Sequence, residues 1–99
     1  MPYVIFEVKS ENVSKINTMI KDDLISRQSI LTRDSNSLGM EGDYSYVKIE
    51  GSDAGIKRAV ELAKELEFKK IDEKKAKKIN EKINEQEDSA ASGIGMIFD

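Results

Sequence analysis

Residues 44–66, YSYVKIEGSDAGIKRAVELAKEL, constrain the fold more than any other stretch. In them a strand pattern passes into a helix pattern with only a glycine and a serine between. Val47 and Ile49 alternate with Tyr46, Lys48 and Glu50, the period-two signature of a half-buried strand. Gly51 ends that strand and Ser52 stands where a helix N-cap belongs. Asp53 follows in the first turn, where the helix dipole favours negative charge. Ile56, Ala59, Val60, Ala63 and Leu66 then recur at helical spacing, with Lys57, Arg58, Glu61, Lys64 and Glu65 on the wet side. The unit is structural and carries no chemical motif.

The remaining elements follow from the same two periods. In residues 3–8, Val4, Phe6 and Val8 point one way and Tyr3, Ile5 and Glu7 the other. Ser10 is placed to cap a helix with Glu11 in its first turn and a stripe of Val13, Ile16, Met19, Ile20 and Leu24. Residues 28–33 form a weaker strand centred on Ile30 and Leu31, and residues 34–43, DSNSLGMEGD, a turn-rich connection with Gly39 and Gly42. Residues 67–71, EFKKI, make a short fourth strand whose two lysines suit a sheet edge.

The order β-α-β-β-α-β predicts an α+β, ferredoxin-like domain over residues 1–71. Its antiparallel sheet carries two helices on one face and leaves the other face open, with the first and third strands central and adjacent. Residues 72–88 add a C-terminal helix with a narrow stripe of Ala76, Ile79 and Ile83; Gln86 falls where the next apolar residue belongs. Residues 89–99 read as a flexible linker, SAASGIG, and an apolar tail of Met96, Ile97 and Phe98.

Composition bounds the function. Ninety-nine residues make one domain, with a thin core and no deep internal cavity. There is no cysteine, hence no disulfide or thiolate metal site, and no histidine, the commonest general base and metal ligand. No run approaches membrane-spanning length, and Glu7 and Lys9 interrupt any leader-like pattern, so a cytoplasmic protein is expected. The net charge of −3 argues against a dedicated nucleic-acid binder. Residues 69–82 are locally basic, with seven lysines against Asp72, Glu73 and Glu81, and read as a solvated flank. The adjacent Asp22 and Asp23 diverge by about 100° on a helix, which defeats a shared metal or acid–base pair. Ser26, Ser29 and Ser35 have no activating base in view. No enzymatic activity and no cofactor or metal are expected.

The candidate binding surface is the open sheet face, with Tyr3, Ile5, Tyr44, Tyr46 and Lys48 pointing away from the two helices. Clustered tyrosines on central strands are similar to the RNA-recognition motif, whose aromatics stack bases. YSYVKIE lacks that family's basic-glycine-aromatic run, so cover by the third helix, the tail or a second subunit is the favoured reading. Gly39-Met40-Glu41-Gly42 resembles the GxxG loop of KH domains, but it joins two strands and Glu41 would repel phosphate. The element order over residues 1–71 resembles ACT and related small regulatory domains, which implies a homo-oligomer with an effector near the interface. VKSENV lacks the glycine those domains carry after the first strand.

The leading expectation is therefore a homo-oligomeric binding or regulatory module taking a small-molecule effector. Ile79, Ile83, Met96, Ile97 and Phe98 would contact another copy. A nucleic-acid-associated protein using the tyrosine face and the lysine-rich helix is the alternative; a small dimeric α/β-barrel-type enzyme is the third reading.

Overall fold

The strand residues pair as β1 (Tyr3–Lys9), β2 (Ser29–Asp34), β3 (Tyr44–Glu50) and β4 (Lys69–Lys70) in a computed structural model that describes residues 2–98, and for residues 87–98 the backbone alone. The sheet order is β2-β3-β1-β4 and every neighbouring pair is antiparallel. Val4 lies opposite Ile49 and Phe6 opposite Val47, so the inward residues of the two central strands stack in rows. The protein is an α+β fold with a four-stranded antiparallel sheet and three α-helices, α1 (Ile16–Ile20), α2 (Asp53–Glu65) and α3 (Glu73–Phe98).

One face of the sheet packs on α1 and α2. Phe6, Met19, Ile25, Val47 and Ile49 are fully buried there, among Val4, Val8, Ala59 and Ala63. Burying each large apolar side chain stabilises by roughly 1.5–3 kcal/mol relative to exposure. Of the stripe expected of α2, Ala59 and Ala63 are buried and Ile56, Val60 and Leu66 partly so, while Leu62, outside that stripe, is buried with them. Ser52 Oγ accepts the Gly55 N–H at 3.1 Å, the cap expected from sequence. Gln28 seals the same end: its Oε1 accepts the Ser52 N–H at 2.9 Å and its Nε2 donates to the Leu24 carbonyl at 3.0 Å. Gly51 and Gly55 make room for it, since a Cβ on either would come within 2.1 or 2.3 Å of the Gln28 side chain.

The single helix expected from Ser10 to Leu24 is broken. A 3-10 helix (Ser10–Lys15) leads into the five-residue α1, and a second 3-10 helix (Ile25–Arg27) follows. Ser, Asn, Thr and β-branched residues crowd SENVSKINT and weaken a continuous helix. Asp22 then redirects the chain, its Oδ1 accepting the N–H groups of Leu24 and Ile25 at 3.1 and 3.2 Å. Ser10 is not a cap; its Oγ donates to Asp43 Oδ2 at 2.7 Å and ties the loop before β3 to the end of β1. β2 starts one residue later than the sequence suggests.

Glu67, at φ 64°, closes α2 in the left-handed region, and the Phe68 N–H donates to the Ala63 carbonyl at 2.8 Å. β4 follows as a two-residue edge, and the Ile71 N–H extends it by one bond to the Ile5 carbonyl. Asp72 Oδ1 accepts the Lys75 N–H at 2.8 Å and starts α3. α3 runs back across the second face of the sheet, burying Ala76, Ile79 and Ile83 against Ile5, Tyr46, Leu38 and Ile71. The face that the two crossover helices leave open is covered by α3, one of the three covers favoured from sequence. α3 extends along the backbone through the stretch read as linker and tail, to Phe98.

Candidate functional site

The alternation of β1 and β3 puts Tyr3, Ile5, Glu7, Tyr44, Tyr46 and Lys48 on the second face, as the sequence predicts, and α3 decides what they become. Ile5 and Tyr46 are only 1% and 2% exposed and Lys48 is buried, whereas Tyr3 and Tyr44 are half-buried at the margins. Base stacking on Tyr46 has no surface to use. Ile79 and Ile83, expected to meet another copy, are consumed within their own chain, at 0% and 1% exposure. Met96, Ile97 and Phe98 lie outside the residues whose side chains are described.

Polar contacts tie α3 down. Lys75 Nζ meets Glu7 Oε2 at 2.6 Å and sits 5.9 Å from the centroid of the Tyr46 ring; the Tyr46 hydroxyl reaches the same carboxylate oxygen at 3.3 Å. Burial, then the nearby Glu7 charge, pushes the Tyr46 phenol above its ordinary pKa. The hydrogen bond to Glu7 holds Lys75 protonated above the usual lysine value. Lys48, itself buried, is 3.9 Å from Glu50 Oε1 and 5.2 Å from the Tyr3 ring centroid. At the far end, Gln86 receives the Arg33 Nε–H at 3.3 Å and donates its amide to the Ser37 carbonyl. The polar residue standing in the apolar stripe is thus a clasp to β2 and its loop. Sequence periodicity marked the position without revealing its partners.

A cleft of about 670 Å³ remains where α3 leaves the sheet, between the start of β1, β4 and the first turns of α3. Its apolar floor includes Ile5, Ile71 and Ala76. It exists because β4 is two residues long. The Ile71–Ile5 bond turns the backbone groups of odd-numbered β1 residues towards β4, yet β4 places no residue opposite Tyr3. Asn80 lines the cleft, and its Oδ1 is buried with no hydrogen-bond partner among the described residues. Lys70 and Lys77 stand at the cleft with Glu73 and Glu81, so its charges balance. Nothing in the sequence marked Asn80, because KKINEKINE reads as ordinary helical periodicity.

The other polar clusters are structural. Asp22 Oδ2 receives the Arg58 Nε–H at 2.8 Å; this bond, then the Ile25 N–H, holds the Asp22 carboxyl below its usual value, while Asp23 points elsewhere, to Arg27. Ser35, buried, donates to the Gly42 carbonyl at 2.7 Å and accepts the Tyr44 N–H at 3.3 Å, closing the GMEG loop as a hairpin connection. No group of three acidic residues able to hold a metal ion occurs among the described residues, and no helix there is long and apolar enough to cross a membrane. No family model, no curated protein and no solved structure matches this chain.

Proposed function

We propose that the protein is a non-enzymatic binding module, cytoplasmic and homo-oligomeric, that takes a small neutral molecule into the cleft between β1, β4 and α3. The observation that carries this reading is Asn80 Oδ1, an amide oxygen buried beside an apolar floor without a donor. Leaving such a group unpaired costs about 1–3 kcal/mol, which a ligand N–H or O–H would recover once the side chain turns its oxygen into the cleft. Exchanging the amide oxygen and nitrogen would leave a donor in the same place, so a polar need persists either way. The balanced charges of Lys70, Lys77, Glu73 and Glu81 favour an uncharged ligand over an anion. Its chemistry is an apolar body carrying an amide or hydroxyl.

The same reading treats the four-stranded body as a ferredoxin-like arrangement related to small regulatory domains. The central β1–β3 pair and the helical crossovers packed on one face support it. The broken first crossover and the added α3 depart from a plain βαββαβ order.

Titration of isotope-labelled protein with benzamide and hexanamide, followed by amide NMR, tests the site. Shifts are expected at Tyr3, Ile71, Ala76 and Asn80, absent with methyl benzoate and abolished in Asn80→Leu. Shifts elsewhere only, or equal binding by Asn80→Leu, would refute it.

A further inference from the structure

The two edges of the sheet are treated differently by the sequence. β4 is two lysines long, a short and charged edge of the kind that discourages pairing. β2, at the other edge, is six residues, SILTRD, with no proline, glycine or lysine, and it pairs only with β3. The Ser35 N–H donates to the Tyr44 carbonyl at 2.8 Å, which fixes the alternation. Residues 29, 31 and 33 turn their backbone groups to β3, and Ile30, Thr32 and Asp34 turn theirs outward.

We infer that β2 pairs antiparallel with β2 of a second copy, joining two four-stranded sheets into one, in a register centred on Leu31. The outward groups select that register. The Asp34 carbonyl is taken by the Leu38 N–H and the Ser37 hydroxyl, which excludes a pairing centred on Thr32. The Gln28 N–H is taken by the Ile25 carbonyl, which excludes one centred on Ile30. With Leu31 on the two-fold axis, Ile30 of each copy faces Thr32 of the other, and both N–H and C=O groups are exchanged at each pair. The Thr32 carbonyl already accepts from Arg33 Nη1 at 2.8 Å, and a carbonyl oxygen has a second lone pair for the incoming N–H.

Side chains agree with this register. On the α3 side Leu31 meets Leu31, joining two half-buried leucines that already pack against the tyrosine cluster. Arg33 comes opposite Ser29, whose neighbour across β3 is Glu50, so a cation faces a small residue with a carboxylate behind it. No like charges are opposed. A two-fold pairing closes on itself and yields a dimer rather than a fibre. The occupant is thus a second copy, and the surface is distinct from the cleft that holds Asn80.

Because the chain has no cysteine, single-cysteine variants read the register directly. Residues opposed on the axis in a non-hydrogen-bonded pair lie about 4.5 Å apart at Cα, within the range a disulfide spans. Mild oxidation of Leu31→Cys is expected to convert most of the protein to a covalent dimer, while Ser29→Cys, four residues from its own copy along the strands, stays monomeric on denaturing gels. Thr32→Pro removes an outward N–H and no bond to β3. Light scattering should then give a dimer for the unmodified chain and a folded monomer for Thr32→Pro, with unchanged circular dichroism. A monomeric unmodified chain at millimolar concentration would overturn the inference. So would equal crosslinking of the two cysteine variants, or a dimer that survives Thr32→Pro. Benzamide binding retained by the monomer would separate this interface from the cleft.

Discussion

The two faces of one sheet are filled by different means. Against α1 and α2 the core contacts are aliphatic and aromatic, and the ion pair on that side, Asp22–Arg58, sits outside the apolar cluster. Against α3 the layer contains Tyr46, a buried Lys48, the Glu7–Lys75 pair, the Gln86 clasp and the unpartnered Asn80 oxygen. Apolar packing holds the first layer wherever shapes fit. The second is positioned by groups that must each find a specific partner, and Asn80 Oδ1 is left without one among the described residues.

Truncation on the first face breaks that comparison most severely. Phe6→Ala should cost about 3–5 kcal/mol in chemical denaturation, because it empties the centre of the core. A smaller loss would mean the aliphatic layer relaxes more easily than its packing implies. Ile79→Ala should cost about 2–5 kcal/mol, and hydrogen exchange should quicken in α3 before β1 and β3. Equal protection across both layers would make the faces one cooperative unit.

The polar anchor gives a smaller and pH-dependent signal. Lys75 is about two-fifths exposed, so solvent screening limits the pair, and Lys75→Met should cost about 1 kcal/mol or less. Its folded-state pKa is raised by Glu7, so this stabilisation is fully present below the unfolded lysine value and is lost as pH rises through the folded one. Tyr46, also raised, acts in the same direction. Thermal stability should therefore fall above about pH 10, and Lys75→Met combined with Tyr46→Phe should flatten that limb. An unchanged alkaline slope would show that the two groups are not linked to folding. Asn80→Leu is expected to have a similarly small effect of opposite sign, a gain of about 1 kcal/mol or less from removing an unsatisfied oxygen. A net loss would reveal an internal partner for Asn80.

Much of the first face was legible in the sequence. The facing of side chains in β1 and β3 and the Ser52 cap follow from local sequence and tertiary packing agrees with them, although β3, expected half-buried, is buried on both faces and Leu62 joins the buried side of α2. The failure at Ser10 to Leu24 is instructive because its apolar spacing was helical. Weak helix formers left its first turns 3-10, and Asp22, which also meets Arg58 36 positions later, turned the chain after α1 had ended. The second face was legible as a set of residues but not as a site. Glu7, Gln86 and Asn80 acquire their roles from partners far along the chain, and no window of sequence contains both halves of such a contact. The cleft depends on how short β4 is, and strand length is set by where α3 begins.

The Glu7–Lys75 contact spans 68 positions and joins the first strand to the last helix. During synthesis, β1, β2 and β3 leave the ribosome with α2 close behind, and the aliphatic layer can assemble from them. The tyrosine-bearing face must then wait, wetted and uncovered, until residues 73–86 emerge to lie across it. For that interval the nascent chain displays Ile5, Tyr46 and Leu31 to its surroundings, and a slow ribosome lengthens the exposure. Closing so long a loop also carries a high entropic cost from the unfolded chain, one the β1–β4 pairing shares. Refolding should therefore show a body that forms early and a helix that arrives last, with chaperone demand concentrated in the gap between them.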